Sequence, residues 1–338
     1  MEPVPRSPRT RGSADWLRSP LSSRETIGVD LGGTKMLVGV VDADQRVHFK
    51  GKEPSVGLSE AEVVEGLARE LQEAKEARPD VLAAGLGIPA TIDRRRGVAI
   101  QAVNLEISDV PLRDQMRERL GLPVYIDNDA NVAALAEHLY GAGRGAENVV
   151  MLTLGTGIGG GLILNGEVFR GTTGAASELG HIVIKEDGHP CQGNCPNRGC
   201  VETYASGTAL AREGAAAAKR EPESALAKAV EDGPITGKVV TELALSGDPV
   251  AKEVVAEAGK HLGVALASLA NIFDPDVFLI GGGVSAVGDL ILDPARAELG
   301  TRALPPMNGI PVKLAELGPD AGMIGAAAMA RIELDRES

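Results

Sequence analysis

Aromatic side chains are almost missing: one Trp, three Tyr and four Phe in 338 residues, 2% of the chain. So few rings leave little for stacking on unpaired bases. Positive charge is also short, with 34 Lys and Arg against 47 Asp and Glu, and the resulting net charge of −13 repels a phosphate backbone. Direct nucleic-acid binding is therefore not expected. No run approaches the ~20 apolar residues of a bilayer helix, because the longest uncharged stretch, residues 148–166, is broken by glycines, Thr153 and Thr156. Residues 1–25 are rich in Pro, Ser and Arg and lack the apolar segment of a secretory signal, so they read as a disordered tail. The expectation is a soluble, cytoplasmic protein without a membrane partner. A P-loop is absent too, since no GxxxxGK[ST] occurs. Cysteine is confined to Cys191, Cys195 and Cys200, all within ten residues. An odd number so closely spaced is a poor disulfide framework and a good metal cluster.

Glycine is what the chain has in excess, 43 residues or about 13% against a usual ~7%, and it gathers at the ends of apolar runs. Two segments share one design. Residues 26–47 read as strand, glycine turn, strand, Asp42-Ala43-Asp44 turn and strand. Residues 149–171 repeat that order, with a hairpin-type Asn165-Gly166 turn. The spacing of about 120 residues predicts a duplicated α/β unit. Between and after the copies, helices are expected over 61–78, from Ala130 onward, over 249–273 (stopped by Pro275) and over 321–334, with strands at 81–89, 123–126 and 277–280. Alternating strands and helices predict an α/β protein with two sheets, and the length suits about two domains.

Each of three glycine turns follows an apolar strand: Asp30-Leu31-Gly32-Gly33-Thr34, residues 155–161, and Gly281-Gly282-Gly283. Glycine lets backbone N–H groups approach an anion without a Cβ in the way. Residues 155–160 match GxGxxG, yet a strand follows where a dinucleotide fold needs a helix, so that reading is rejected. A single such turn is simply a turn; two matching hairpins and a third turn point to phosphate binding between two lobes. Asp129 stands where a strand hands over to a helix, a place from which a carboxylate reaches a cleft on a rigid backbone. It can equally serve as the N-cap of the helix beginning at Ala130.

DLGGTK, IDNDANVAALAE, LGTGIGGG, GAASELGH, CPNRGCVE and IGGGVS occur in this order, and over residues 26–331 the chain resembles the ROK family of sugar kinases and repressors, most of all its glucokinases. The resemblance implies the actin-like (ribonuclease H-like) two-domain fold with ATP and sugar in the cleft. The smaller domain would be 26–140 with 321–334, and the larger would be 141–320, carrying the metal loop. It further implies that Asp30 orients Mg²⁺ through water and that Gly32, Gly33, Thr34, Lys35, Thr156 and Gly157 hold phosphates. Gly282 and Gly283 would lie near the adenosine. Asn104, Asn128, Glu178, His181 and Glu202 would bind the sugar together with Asp129, which would be the base. Phosphoryl transfer to a hydroxyl needs that base and in-line positioning. A homodimer or dimer of dimers is implied as well.

Three departures bear on the reading. Gly87-Ile88-Pro89-Ala90 stands in place of the family's GxPG, Asn104 is followed by Leu-Glu-Ile instead of an aromatic, and Cys191-x₃-Cys195-x₄-Cys200 has a first interval two residues longer than the family's. Three thiols and a histidine make the ligand set of a closed structural Zn²⁺ site. His181 is the fourth ligand by resemblance, and His189 competes by its nearness to Cys191. The glycine turns lie on other strands, so this loop is expected to govern the sugar far more than the nucleotide. Glucose phosphorylation is the leading expectation. Another hexose or N-acetylhexosamine is the alternative acceptor. A sugar-responsive regulator is the rival class, disfavoured because only 29 residues without helical periodicity precede Asp30.

Overall fold

The computed structural model describes residues 25–33, 35–102, 105–193 and 195–338. The expected tail up to residue 24, Thr34 and Asn104 lie outside the described residues. Glu25, assigned to that tail from sequence, is instead fastened to the fold: its carboxylate accepts from Arg78 Nε at 2.8 Å.

The first half runs β1 (Thr26–Leu31), β2 (Lys35–Val41), β3 (Val47–Pro54), α1 (Glu60–Ala77), β4 (Ala84–Ile88), β5 (Ala90–Asp93), β6 (Val98–Ala102), β7 (Ser108–Val110), α2 (Leu112–Leu120), β8 (Val124–Asn128) and α3 (Asp129–Tyr140). The second half opens with β9 (Val149–Leu154), β10 (Ile158–Leu164) and β11 (Glu167–Val168). Six helices and two strands follow: α4 (Glu202–Ala205), α5 (Gly207–Arg220), α6 (Ala225–Asp232), α7 (Gly237–Ser246), α8 (Pro249–Phe273), β12 (Val277–Gly281), α9 (Asp289–Arg302) and β13 (Val312–Leu314). The last element is α10 (Ala321–Glu337).

One sheet has the order β3-β2-β1-β4-β8 and another β11-β10-β9-β12-β13. The orders are the same position for position. In each, an antiparallel hairpin is followed by parallel additions on the first strand, so the repeat read from residues 26–47 and 149–171 is a repeat of topology. The expectation of two sheets is corrected to three: β5, β6 and β7 form a small antiparallel sheet, built on the crossover between β4 and α2, whose short strands carry little periodic signal.

Local chemistry sets the helix ends. Ser59 and Glu62 form a reciprocal capping box at α1. Asp248 caps α8, accepting from Ala251 N at 2.7 Å with Pro249 in the first turn, and Asp274, in the left-handed region, ends the helix before Pro275. The apolar face of α1 and that of α2 close one core on the first sheet, while α4 to α9 close a second core on the other. Helices α3 and α10 pack on each other between the two. Helix α10 is buried from Ala321 through Arg331 and returns the end of the chain to β1 and β4. Gly28 and Gly85 make this approach feasible, because a Cβ on either would strike the backbone of Met323 or Ala326. Arg331, 2% exposed, donates to Val41 O at 2.8 Å and Thr26 Oγ1 at 2.9 Å.

Candidate active site and metal centre

Strand β8 ends in Asp127-Asn128, and α3 begins at Asp129. The cap of α3 is Asn128, whose Oδ1 accepts from Ala130 N at 2.9 Å and Asn131 N at 3.3 Å. This corrects the reading of Asp129 as N-cap of a helix starting at Ala130. The amide one residue earlier takes the cap, which leaves Asp129 inside the first turn, its carboxylate accepting from Ala130 N at 2.9 Å. Its carboxyl is pushed up to about 6, chiefly by burial, with Glu178 adding to the rise. Asp30, at the end of β1, is pushed up to about 7 by burial and then by Asp129, while Lys35 at the start of β2 acts against the rise. Burial, then the charge of Glu202, also raises Glu178, which His181 opposes. Asp30, Asp129, Glu178 and Glu202 thus form one acidic neighbourhood drawn from both halves, and two of its members have pKa values near neutrality.

Two of the glycine turns, 155–161 and 281–283, meet beside it, and the third follows Asp30. Thr156 is exposed at the tip of the β9–β10 turn. Gly282, with φ +85, packs so tightly on the end of β9 that a Cβ would strike Leu154 backbone atoms. Gly157 cannot carry a Cβ either, because the Glu202 carboxylate occupies that space. Glu202 is 8% exposed, and its Oε2 accepts from Ile158 N at 2.7 Å. It is a buried acceptor. Ala90, one of the departures, opens β5, and its carbonyl accepts from Asn128 Nδ2 at 3.4 Å.

His181 and the three thiols gather at the far side of this neighbourhood. Cys191 Sγ lies 3.4 Å from His181 Nδ1 and Cys195 Sγ lies 3.9 Å from Cys200 Sγ; the four ligand atoms all fall within 4.8 Å of one another. A tetrahedral ion with Zn–S bonds of about 2.3 Å wants sulfurs ~3.8 Å apart, so these residues fit a zinc ion. Burial pushes the Cys191 thiol up, a cost that a bound divalent cation would reverse. The longer first interval closes through Cys191 N–H donating to Asn197 O at 2.9 Å. His189 is elsewhere: its ring lies 5.5 Å from that of Tyr204 and its Nε2 3.9 Å from Glu213.

Sequence reasoning missed Asp127 and Arg170. Asp127, 1% exposed, accepts from Arg170 Nε at 2.6 Å and from Asn131 Nδ2 at 3.0 Å. Arg170 follows β11, so this pair joins the halves one residue before the Asn128-Asp129 pair. The run of three polar residues closing an apolar strand was a signal for Asp127. Nothing local marked Arg170 as its partner.

A sequence model described as the ROK family matches residues 26–333. A glucokinase of Streptomyces coelicolor is 41% identical over 314 residues, covering 90% of this chain and 97% of the relative. The crystal structure of a ROK family glucokinase from Streptomyces griseus, in complex with glucose and AMPPNP, superposes with a TM-score of 0.82 at 40% identity, covering 91% of this chain and 99% of that one. A xylose repressor of Caldicellulosiruptor bescii is 29% identical, with 90% of this chain and 77% of the repressor aligned.

Proposed function

The chain belongs to the ROK family and has its actin-like fold, and on that premise we propose that it transfers the γ-phosphoryl group of ATP to glucose, giving glucose 6-phosphate. The carrying observation is Asp129: a carboxylate fixed at a strand–helix junction, with its pKa raised to about 6 and a capping asparagine beside it. Similarity to glucokinases over nearly the full length supports the substrate pair.

Asn128, Asp129, Glu178, His181 and Glu202 surround the sugar, with Asn104 completing the set. Asp129 accepts the proton of the attacking hydroxyl, the part of phosphoryl transfer that a side chain must supply. Gly32, Gly33, Thr34, Lys35, Thr156 and Gly157 hold the phosphates, and Gly282 and Gly283 border the adenosine. Asp30 would hold Mg²⁺, which supplies charge neutralisation on the transferring phosphate. His181, Cys191, Cys195 and Cys200 would hold zinc, which leaves no open position for chemistry and fixes the loop. The smaller domain is 26–140 with 321–334 and the larger 141–320; the buried return of α10 to β1 and β4 supports that division. No described helix is long and apolar enough to cross a membrane. Reduced thiols and ATP as donor fit the cytoplasm, and the assembly is a homodimer or dimer of dimers, checked by light scattering.

A coupled assay over a panel of hexoses and N-acetylhexosamines tests the reading, with glucose expected to have the highest kcat/KM. Asp129→Asn should lower kcat about 10²–10⁴-fold while keeping AMP-PNP affinity. Because Asp129 must be ionised to accept a proton, kcat/KM for sugar should fall as pH drops through about 6. Retention of more than a third of wild-type kcat would remove Asp129 from the role of base.

A further inference from the structure

The β9–β10 turn is gripped from two sides, and both grips run directly into the metal cluster. On one side, the single helical turn Leu179–His181 lies on the start of β10: a Cβ at Gly180 would strike Ile158 O, and one at Gly160 would strike Ser177 O. That strap ends in His181. On the other side, Val201 N donates to Ile182 O at 2.9 Å, and Glu202, two residues after Cys200, accepts from Ile158 N at 2.7 Å. The same strap continues into the start of α5, where Gly207 N donates to Gly155 O at 2.7 Å and Thr208 Oγ1 to Thr156 O at 2.8 Å. Gln192, within the cysteine loop, donates to Ser206 Oγ at 3.3 Å. The carbonyls of Gly155 and Thr156 therefore accept from this strap and the Ile158 N–H donates to it, and the strap runs on from the metal-ligating residues. The expectation that this loop governs the sugar far more than the nucleotide rests on separate strands and takes no account of these contacts.

We infer that Glu202 and Thr208 are positioning residues for the nucleotide: the metal centre joins the His181 strap to the Cys200 strap and so closes a clasp that sets the backbone N–H groups of the turn for the phosphates. The inference rests on the proposed role of this turn as the phosphate cradle. The physical reason is preorganisation. Backbone donors bind an anion strongly only if they are aimed before it arrives, and a glycine-rich turn has little of its own to hold one conformation. A carboxylate accepting a buried N–H fixes Ile158 and fills the space over Gly157. The hydroxyl and amide of α5 fix the other arm.

The test measures AMP-PNP affinity by calorimetry without sugar. Glu202→Ala should weaken it about tenfold or more, the size of a lost charge-assisted hydrogen bond. Glu202→Gln, which keeps an acceptor oxygen, should stay within about threefold of wild type. Thr208→Ala, on an exposed residue that leaves the metal ligands intact, should weaken nucleotide binding about twofold to tenfold with sugar affinity unchanged. Chelator-stripped protein that remains folded should match Glu202→Ala. A second arm needs no ligand: hydrogen exchange at the Ile158 amide should be faster in Glu202→Ala and in stripped protein than in wild type. Unchanged Ile158 exchange in both overturns the clasp, as does AMP-PNP affinity within twofold of wild type for both Glu202→Ala and stripped protein. Should wild type bind no nucleotide, the proposed function fails, and the exchange arm alone decides the clasp.

Discussion

At the scale of single residues, the notable economy is that neighbouring polar side chains in one short run do different work because their surroundings differ. Asp127 is buried against Arg170 and Asn131, Asn128 caps α3, and Asp129 sits in the first turn with a raised pKa. Three similar groups are sorted by geometry, the way acid and base roles are commonly assigned. Asp30 carries the other consequence of burial. Its folded pKa of about 7 lies above the ordinary 3.8, so the folded state binds more protons than the unfolded state between about pH 4 and 7, and stability falls as pH rises through that window. Asp30→Asn should therefore raise the melting temperature of the ligand-free protein at pH 8 and change it much less at pH 4. An equal shift at both values, read by thermal unfolding without nucleotide or metal, would show that Asp30 is not ionised against its surroundings. A site that holds a like-charged pair costs stability when empty and regains it when a cation or substrate arrives.

Among the elements, the cysteine loop is the clearest case of sequence pattern meeting geometry. Three thiols within ten residues announced a metal cluster, but not which histidine completes it. The isolated pairing of Val183 with Cys200 and of Pro190 with Arg198 folds the loop so that His181 meets Cys191, while His189 stays 48% exposed beside Glu213. His181→Ala should lose the bound metal, and His189→Ala should keep it, with metal content measured by atomic emission on purified protein. The reverse pattern would reassign the ligand. The small β5–β7 sheet was not legible for the opposite reason. Its strands are three to five residues long, too short for a two-residue alternation to stand out. Helix α10 was legible as a helix, yet its sequence carries no amphipathic stripe, because it is buried on most of its circumference.

At the scale of the whole molecule, the halves are joined by an ionic tie. Arg170, which leaves β11, meets Asp127 at the end of β8 at 2.6 Å, and Arg94 bridges Asp127 at 3.7 Å to Glu333 of α10 at 3.0 Å. Breaking a buried pair by removing one partner commonly costs 3–5 kcal/mol; Arg94 remains near Asp127, so Arg170→Met should cost about 2–3 kcal/mol. Asp127→Asn combined with Arg170→Met should cost less than the sum of the two single changes, as read from urea midpoints; strict additivity would deny the coupling. Similarity to kinases and to a repressor on one fold also shows why architecture alone does not assign the activity.

Everything carried by local order could be read from the residues alone. The duplicated strand–turn–strand units, the glycine turns, the thiol cluster and the strand–helix junction at Asp129 all depend on residues close together in the chain. Tertiary structure alone decided which distant pieces meet: Arg170 with Asp127 across 43 positions, Glu202 with Ile158 across 44, and Arg331 with Thr26 across 305. The reason is physical. Helix and strand patterns repeat every few residues and leave a periodic trace, whereas a buried ion pair or a carboxylate seated on a backbone amide is selected by the packing of whole sheets. Its two partners share no spacing that one sequence could display.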